Sequence, residues 1–180
     1  MRTFVIATVL LLSVPVSGQN WMRITEKFHN LYENHQYEKA LEYAVKALDY
    51  STGRLDSADI RFILSHYNAA KAYYSLGQVE RAKSYIRTAY ELMAPTVTYD
   101  ANLAEICELY GRIETSLGFH RSASLMLDNA RDIKEKVYGK ESYKYVRTLY
   151  FMAELEMARS RYEDMVRILD DALDLHERLF

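Results

Sequence analysis

The stretch Tyr67–Leu92, YNAAKAYYSLGQVERAKSYIRTAYEL, decides the fold, because the informative segments around it in the 180-residue chain are copies of it. Ala70, Tyr73 and Tyr74, then Val79, Ala82, Ile86 and Ala89, fall at helical spacing on either side of a break at Leu76-Gly77-Gln78. The stretch therefore reads as two short amphipathic helices joined by a turn, each with one face to bury. A lone pair of this length cannot cover enough apolar surface to fold, so further pairs must pack on it.

The chain supplies them. Ala40, Ala82, Ala123 and Met165 stand at intervals of 42, 41 and 42 residues, and the columns around them keep the same register. Seven residues on are Ala47, Ala89, Ala130 and Ala172; four on are Ala44, Ile86, Leu127 and Leu169; twelve before are Phe28, Ala70, Gly111 and Ala153. Small residues recur where the two helices of a unit cross, since a larger side chain would push the axes apart. Gly77 and Gly118 share a turn position that favours positive φ, where the first unit has Asn34-His35-Gln36.

These columns resemble the tetratricopeptide repeat (TPR), a helix-turn-helix whose small and aromatic positions match Ala70, Tyr73, Gly77, Ala82 and Ala89. The period exceeds the usual ~34 residues and is similar to the long-period repeats of kinesin light chains and of bacterial proteins that carry a caspase-like CHAT domain. Ala130–Leu149, ARDIKEKVYGKESYKYVRTL, is the most specific match, whereas Met165 and His120 depart from the pattern. The resemblance implies an all-α, right-handed superhelical solenoid of about four units, near 21–54, 63–96, 104–137 and 146–179. Helices are expected at Asn20–Glu33, Tyr37–Tyr50, Ser57–Leu76, Val79–Met93, Thr98–Leu117, Arg121–Val137, Ser142–Arg159 and Tyr162–Arg178, with Asp56, Thr98 and Ser142 as N-caps.

Residues 1–18, MRTFVIATVLLLSVPVSG, read as a secretory signal peptide: Arg2, an apolar run from Phe4 to Leu12, then Val16-x-Gly18 for the peptidase. The run is about half the roughly 20 residues of a membrane-spanning helix, so no span is expected after cleavage between Gly18 and Gln19. The mature array, 19–180, is expected in the periplasm or secreted. Its single cysteine, Cys107, allows no intrachain disulfide, so the fold must rest on packing.

With 49% hydrophobic and 27% charged residues the composition is that of a folded domain, and a net charge of −2 offers no basic surface for nucleic acid. No phosphate-binding loop, nucleophile elbow or Cys-x-x-Cys is present; Glu26-x-x-His29 lacks the second such pair that a di-iron site needs, and Lys134-Glu135-Lys136 reads as a solvated helix face. Neither catalysis, metal nor cofactor is expected. Function in such a stack lies on the concave face lined by the first helix of each pair. By register that face carries Tyr32, Tyr67, Lys71, Tyr74, Arg112 and Tyr150, beside Glu105, Glu108 and Arg147. Tyrosines supply flat area with a polar tip, and Lys71 and Arg112 suit an acidic side chain or a C-terminal carboxylate. The family's chaperone-tail clamp is not expected, since only Asn68 matches it.

The implied function is binding of a protein or peptide; the alternative is a regulatory array in front of a CHAT protease domain. Leu169, Leu173, Leu175 and Phe180 are expected to leave the last helix apolar and open, to be covered by a second copy in a homodimer, by a partner or by a continuation of the chain.

Overall fold

The computed structural model describes residues 16–95 and 99–179, with backbone alone at 16–18. Eight helices follow one another with no strand among the described residues: α1 Val16–Glu33, α2 Tyr37–Ser51, α3 Ile60–Ser75, α4 Val79–Met93, α5 Ala101–Ser116, α6 His120–Tyr138, α7 Tyr143–Ala158 and α8 Tyr162–Leu179. They pack as four antiparallel pairs, and each pair rests on the next through the second helix of one and the first of the following. Successive first helices touch one another, while no two second helices do. The first helices therefore line the inner side of the curve.

The repeat columns are the core. Ala40, Ala82 and Ala123, and Ala47, Ala89, Ala130 and Ala172, are all fully buried, as are Ala44, Ile86 and Leu127. Gly111 shows why the crossing position stays small. A Cβ there would stand 2.6 Å from Leu127 Cγ and 3.2 Å from the Ala123 carbonyl oxygen.

Each pair closes by the same turn. In unit two the Gln78 amide donates to the Tyr73 carbonyl and the Gly77 amide to Tyr74; Gln36 and His35, Phe119 and Gly118, and Arg161 and Ser160 repeat the pattern. This double closure needs a left-handed residue after the helix. Gly77 and Gly118 adopt it at φ +70° and +77°, and the non-glycine residues of the outer units, His35 and Ser160, adopt it too, at +57° and +59°.

Two expected caps move. α3 and α5 begin about a turn later than their sequence suggests, capped by Asp59 and Asp100 in place of Asp56 and Thr98; Ser142 caps α7 as expected. Asp56 instead accepts from the Ala58 amide, fixing the turn before α3, and Thr98 lies outside the described residues. α1 starts at Val16, inside the stretch read as the end of the leader, most of which lies outside the described residues. Among the described residues no helix is long and apolar enough to cross a membrane.

Candidate functional site: the concave face

α1 and α3 place a tyrosine at repeat-equivalent positions, Tyr32 and Tyr74, and α3 and α5 each answer with a serine and a cation, so the units interlock. The Tyr32 hydroxyl lies 2.6 Å from Ser75 Oγ, and one unit on, Tyr74 lies 3.1 Å from Ser116 Oγ. Cations follow the same rule. Lys71 Nζ sits 4.1 Å from the Tyr32 ring centre, and the Arg112 guanidinium 5.1 Å from that of Tyr74. Units two and three thus each set a cation on the tyrosine of the unit before, an arrangement that leaves the charge available while holding its position.

Arg112 has a second ring beneath it, Phe151 of α7, at 4.1 Å. Repeat register gives no hint of Phe151, whose equivalents are Glu26, Asn68 and Leu109. Among the described residues neither Lys71 nor Arg112 has a carboxylate within ion-pair distance, and Arg112 Nε is buried with no acceptor. Burial holds the Lys71 ammonium below the usual lysine range against the pull of Glu105. Tyr67 lies within electrostatic reach of Glu105 and Glu108 on α5 and of Tyr32. Burial first, then Glu105 and Glu108, push its phenol well above the ordinary value, so it stays a neutral hydrogen-bonding group.

Tyr32, Lys71, Tyr74 and Arg112 are therefore brought together, with Tyr67 beside them. Tyr150 is not: it lies on α7, 37% exposed, outside this chain of contacts. Glu105, Glu108 and Arg147 belong to the walls of the face and are engaged with each other. Arg147 Nη2 is 2.6 Å from both Glu105 and Glu108, and the Thr148 hydroxyl donates to Glu108 at 2.7 Å.

Lys134 corrects the reading of its segment as solvated. Its side chain is completely buried, with Nζ 2.5 Å from Glu108 and 3.5 Å from Glu105. The signal was in the register: Lys134 shares a column with Ser51 and Met93, both buried. Cys107 is buried as well, and burial pushes its thiol up to about 12, which makes it a poor nucleophile. No group of three or more His, Cys, Asp or Glu side chains among the described residues is placed to hold a metal ion.

This architecture is that of TPR-like solenoids. A Podosopora anserina protein of nearly identical TPR-like repeats, named for kinesin light chain, superposes with a TM-score of 0.73 over 92% of this chain and 79% of its own at 16% identity. BtubC (BKLC) from P. vanneervenii gives 0.78 over 91% and 65% at 16% identity, and the apo form of RapI gives 0.71 over 88% and 41% at 19%. No protein-family model and no curated protein sequence matches the chain. The chain therefore has the fold of the TPR-like repeat proteins.

Proposed function

We propose that the chain is an exported scaffold that binds a protein or peptide partner along its concave face, with Lys71 and Arg112 receiving an acidic side chain or a C-terminal carboxylate. One observation carries this reading. Among the cations of the face, Arg147 has two carboxylates at 2.6 Å, whereas among the described residues Lys71 and Arg112 have none within ion-pair distance and are packed on rings. A cation oriented without an anion is a preorganised subsite for one. The test is selection from a random peptide library on the wild-type chain and on Lys71→Glu/Arg112→Glu. Acidic sequences enriched by the first and lost from the second support the proposal; sequences shared by both overturn it.

The leader reading places this scaffold in the periplasm or outside the cell. N-terminal sequencing of the exported protein is expected to begin at Gln19, a cut that leaves the Trp21 indole bond to Ser65 Oγ, at 2.9 Å, in place. A mature chain retaining Met1 would remove this part of the account. A second reading, repeats that regulate a caspase-like CHAT protease, rests on the long period of the repeats. A paired His and Cys encoded beyond Phe180 would favour it.

A further inference from the structure

A single register position of the first helices carries a row of nitrogen-bearing side chains along the concave face. Eleven residues before Ala40, Ala82 and Ala123 stand His29, Lys71 and Arg112, one on each of α1, α3 and α5, and the matching residue of α7 is Glu154, which ends the row. Lys71 and Arg112 rest on Tyr32 and Tyr74 of the units before them. His29, in the first unit, stands edge-on to Phe28, with ring centres 5.1 Å apart. It is exposed and forms no ion pair among the described residues. Because the row belongs to α1, α3 and α5, whatever covers α8 leaves it open. On α8 itself Leu173 is exposed as expected, whereas Leu175 packs inward with Tyr145, Val146 and Ala172, and Phe180 lies outside the described residues.

Two charged groups act on His29: Lys71 from α3 and Glu33 from its own helix. No charged group of α2, the other helix packed on α1, does. Burial first, then Lys71, hold the imidazole below the usual histidine range against the pull of Glu33, so it is neutral at about pH 7 while the face is empty. A carboxylate set against His29 and Lys71 together reverses that balance, since it pairs with both and offsets their mutual repulsion. Neighbouring first helices lie ~10 Å apart axis to axis, a span of about three residues of extended chain. We infer, resting on the reading of Lys71 and Arg112 as anion subsites, that the row takes an extended acidic segment of a partner protein with carboxylates about three residues apart, and that His29 is its third subsite, engaged with uptake of a proton.

The test is a labelled peptide of about ten residues, glutamate at every third position and serine between, titrated by fluorescence anisotropy at about pH 8 and about pH 5.5. The wild-type chain is expected to bind it at least about fivefold more tightly at the lower pH. His29→Gln should remove that gain, and His29→Lys should bind at the higher pH as tightly as at the lower, because its charge does not titrate between them. Lys71→Glu/Arg112→Glu should lose binding at both, which tests the reading underneath. If the peptide binds and His29→Gln keeps the full gain, or the wild-type affinity does not change with pH, the assignment of His29 falls while Lys71 and Arg112 stand. Binding that Lys71→Glu/Arg112→Glu retains, or no saturable binding at either pH, would overturn both.

Discussion

The ammonium of Lys134, on the outer helix of unit three, lies 2.5 Å from a carboxylate oxygen of Glu108 on the inner helix, and the lysine side chain is wholly enclosed. Arg147 and Thr148 reach the same carboxylate from unit four. One acidic side chain thereby ties together both helices of one unit and the first helix of the next. The concave face is held in register by an ionic joint as well as by packing.

Removing the two partners of this joint should not cost the same. Glu108→Leu strands Lys134 with only the more distant Glu105, and the loss is expected to be about 3–5 kcal/mol in denaturant unfolding. Lys134→Met should cost clearly less, because Glu108 keeps Arg147 and Thr148, and a methionine fits a column that already holds Met93. In the double variant the two losses should fall short of additive.

The joint also sets an acid limit. Burial raises the Glu105 pKa, but Lys134 and Arg147 outweigh it and hold the carboxyl below the ordinary glutamate value. A depressed folded-state pKa contributes stability that is complete above the unfolded value, about 4.3, and is lost as pH falls through the folded one. Stability should therefore drop below about pH 4 in a pH-resolved unfolding series, and Glu105→Gln should flatten that part of the profile.

At the shared turn position the four units should respond with opposite signs. Ser160→Gly is expected to stabilise by about 1 kcal/mol, since serine carries a left-handed backbone penalty there. His35→Gly should gain less, because it also loses the 2.7 Å contact of His35 Nδ1 with the Tyr37 hydroxyl. Gly77→Ala and Gly118→Ala should each cost about 1 kcal/mol from backbone strain alone, as a Cβ at either would meet nothing within 4 Å. Thermal melts of the four variants check the ordering.

Gly111→Ala sets two effects against each other. Alanine gains about 1 kcal/mol of helix propensity, but its Cβ would meet Leu127 at 2.6 Å, and overpacking costs about 1–3 kcal/mol. A net loss is expected. Leu127→Ala should make Gly111→Ala harmless or favourable in that background, a coupling that a double-mutant cycle reads directly.

The periodic part of this molecule was legible in the sequence and the aperiodic part was not. The small-residue columns and the turn between the helices recur because each unit solves the same packing problem, so one reading serves all four. Lys134 escaped because its neighbours Glu135 and Lys136 give it a solvated look, although the column through Ser51 and Met93 marked it as inward. Phe151 under Arg112 occurs once, and no register can announce a single event. Asp56 and Asp59 both have the chemistry of a cap; which of them starts α3 depends on where the chain leaves the unit before. The positive φ of His35 and Ser160 follows from the shared closure, which outweighs the preference of the residue that occupies it.

The measurement that tests the central claim most directly is the affinity of one library-selected peptide for the wild-type chain and for Lys71→Glu/Arg112→Glu, with thermal unfolding of both proteins recorded alongside. The account predicts a loss of at least about tenfold in affinity with the melting transition preserved, because each substituted side chain is anchored by rings and not by a carboxylate. Equal affinity in a variant that remains folded would contradict it, and would move the binding surface away from the concave face.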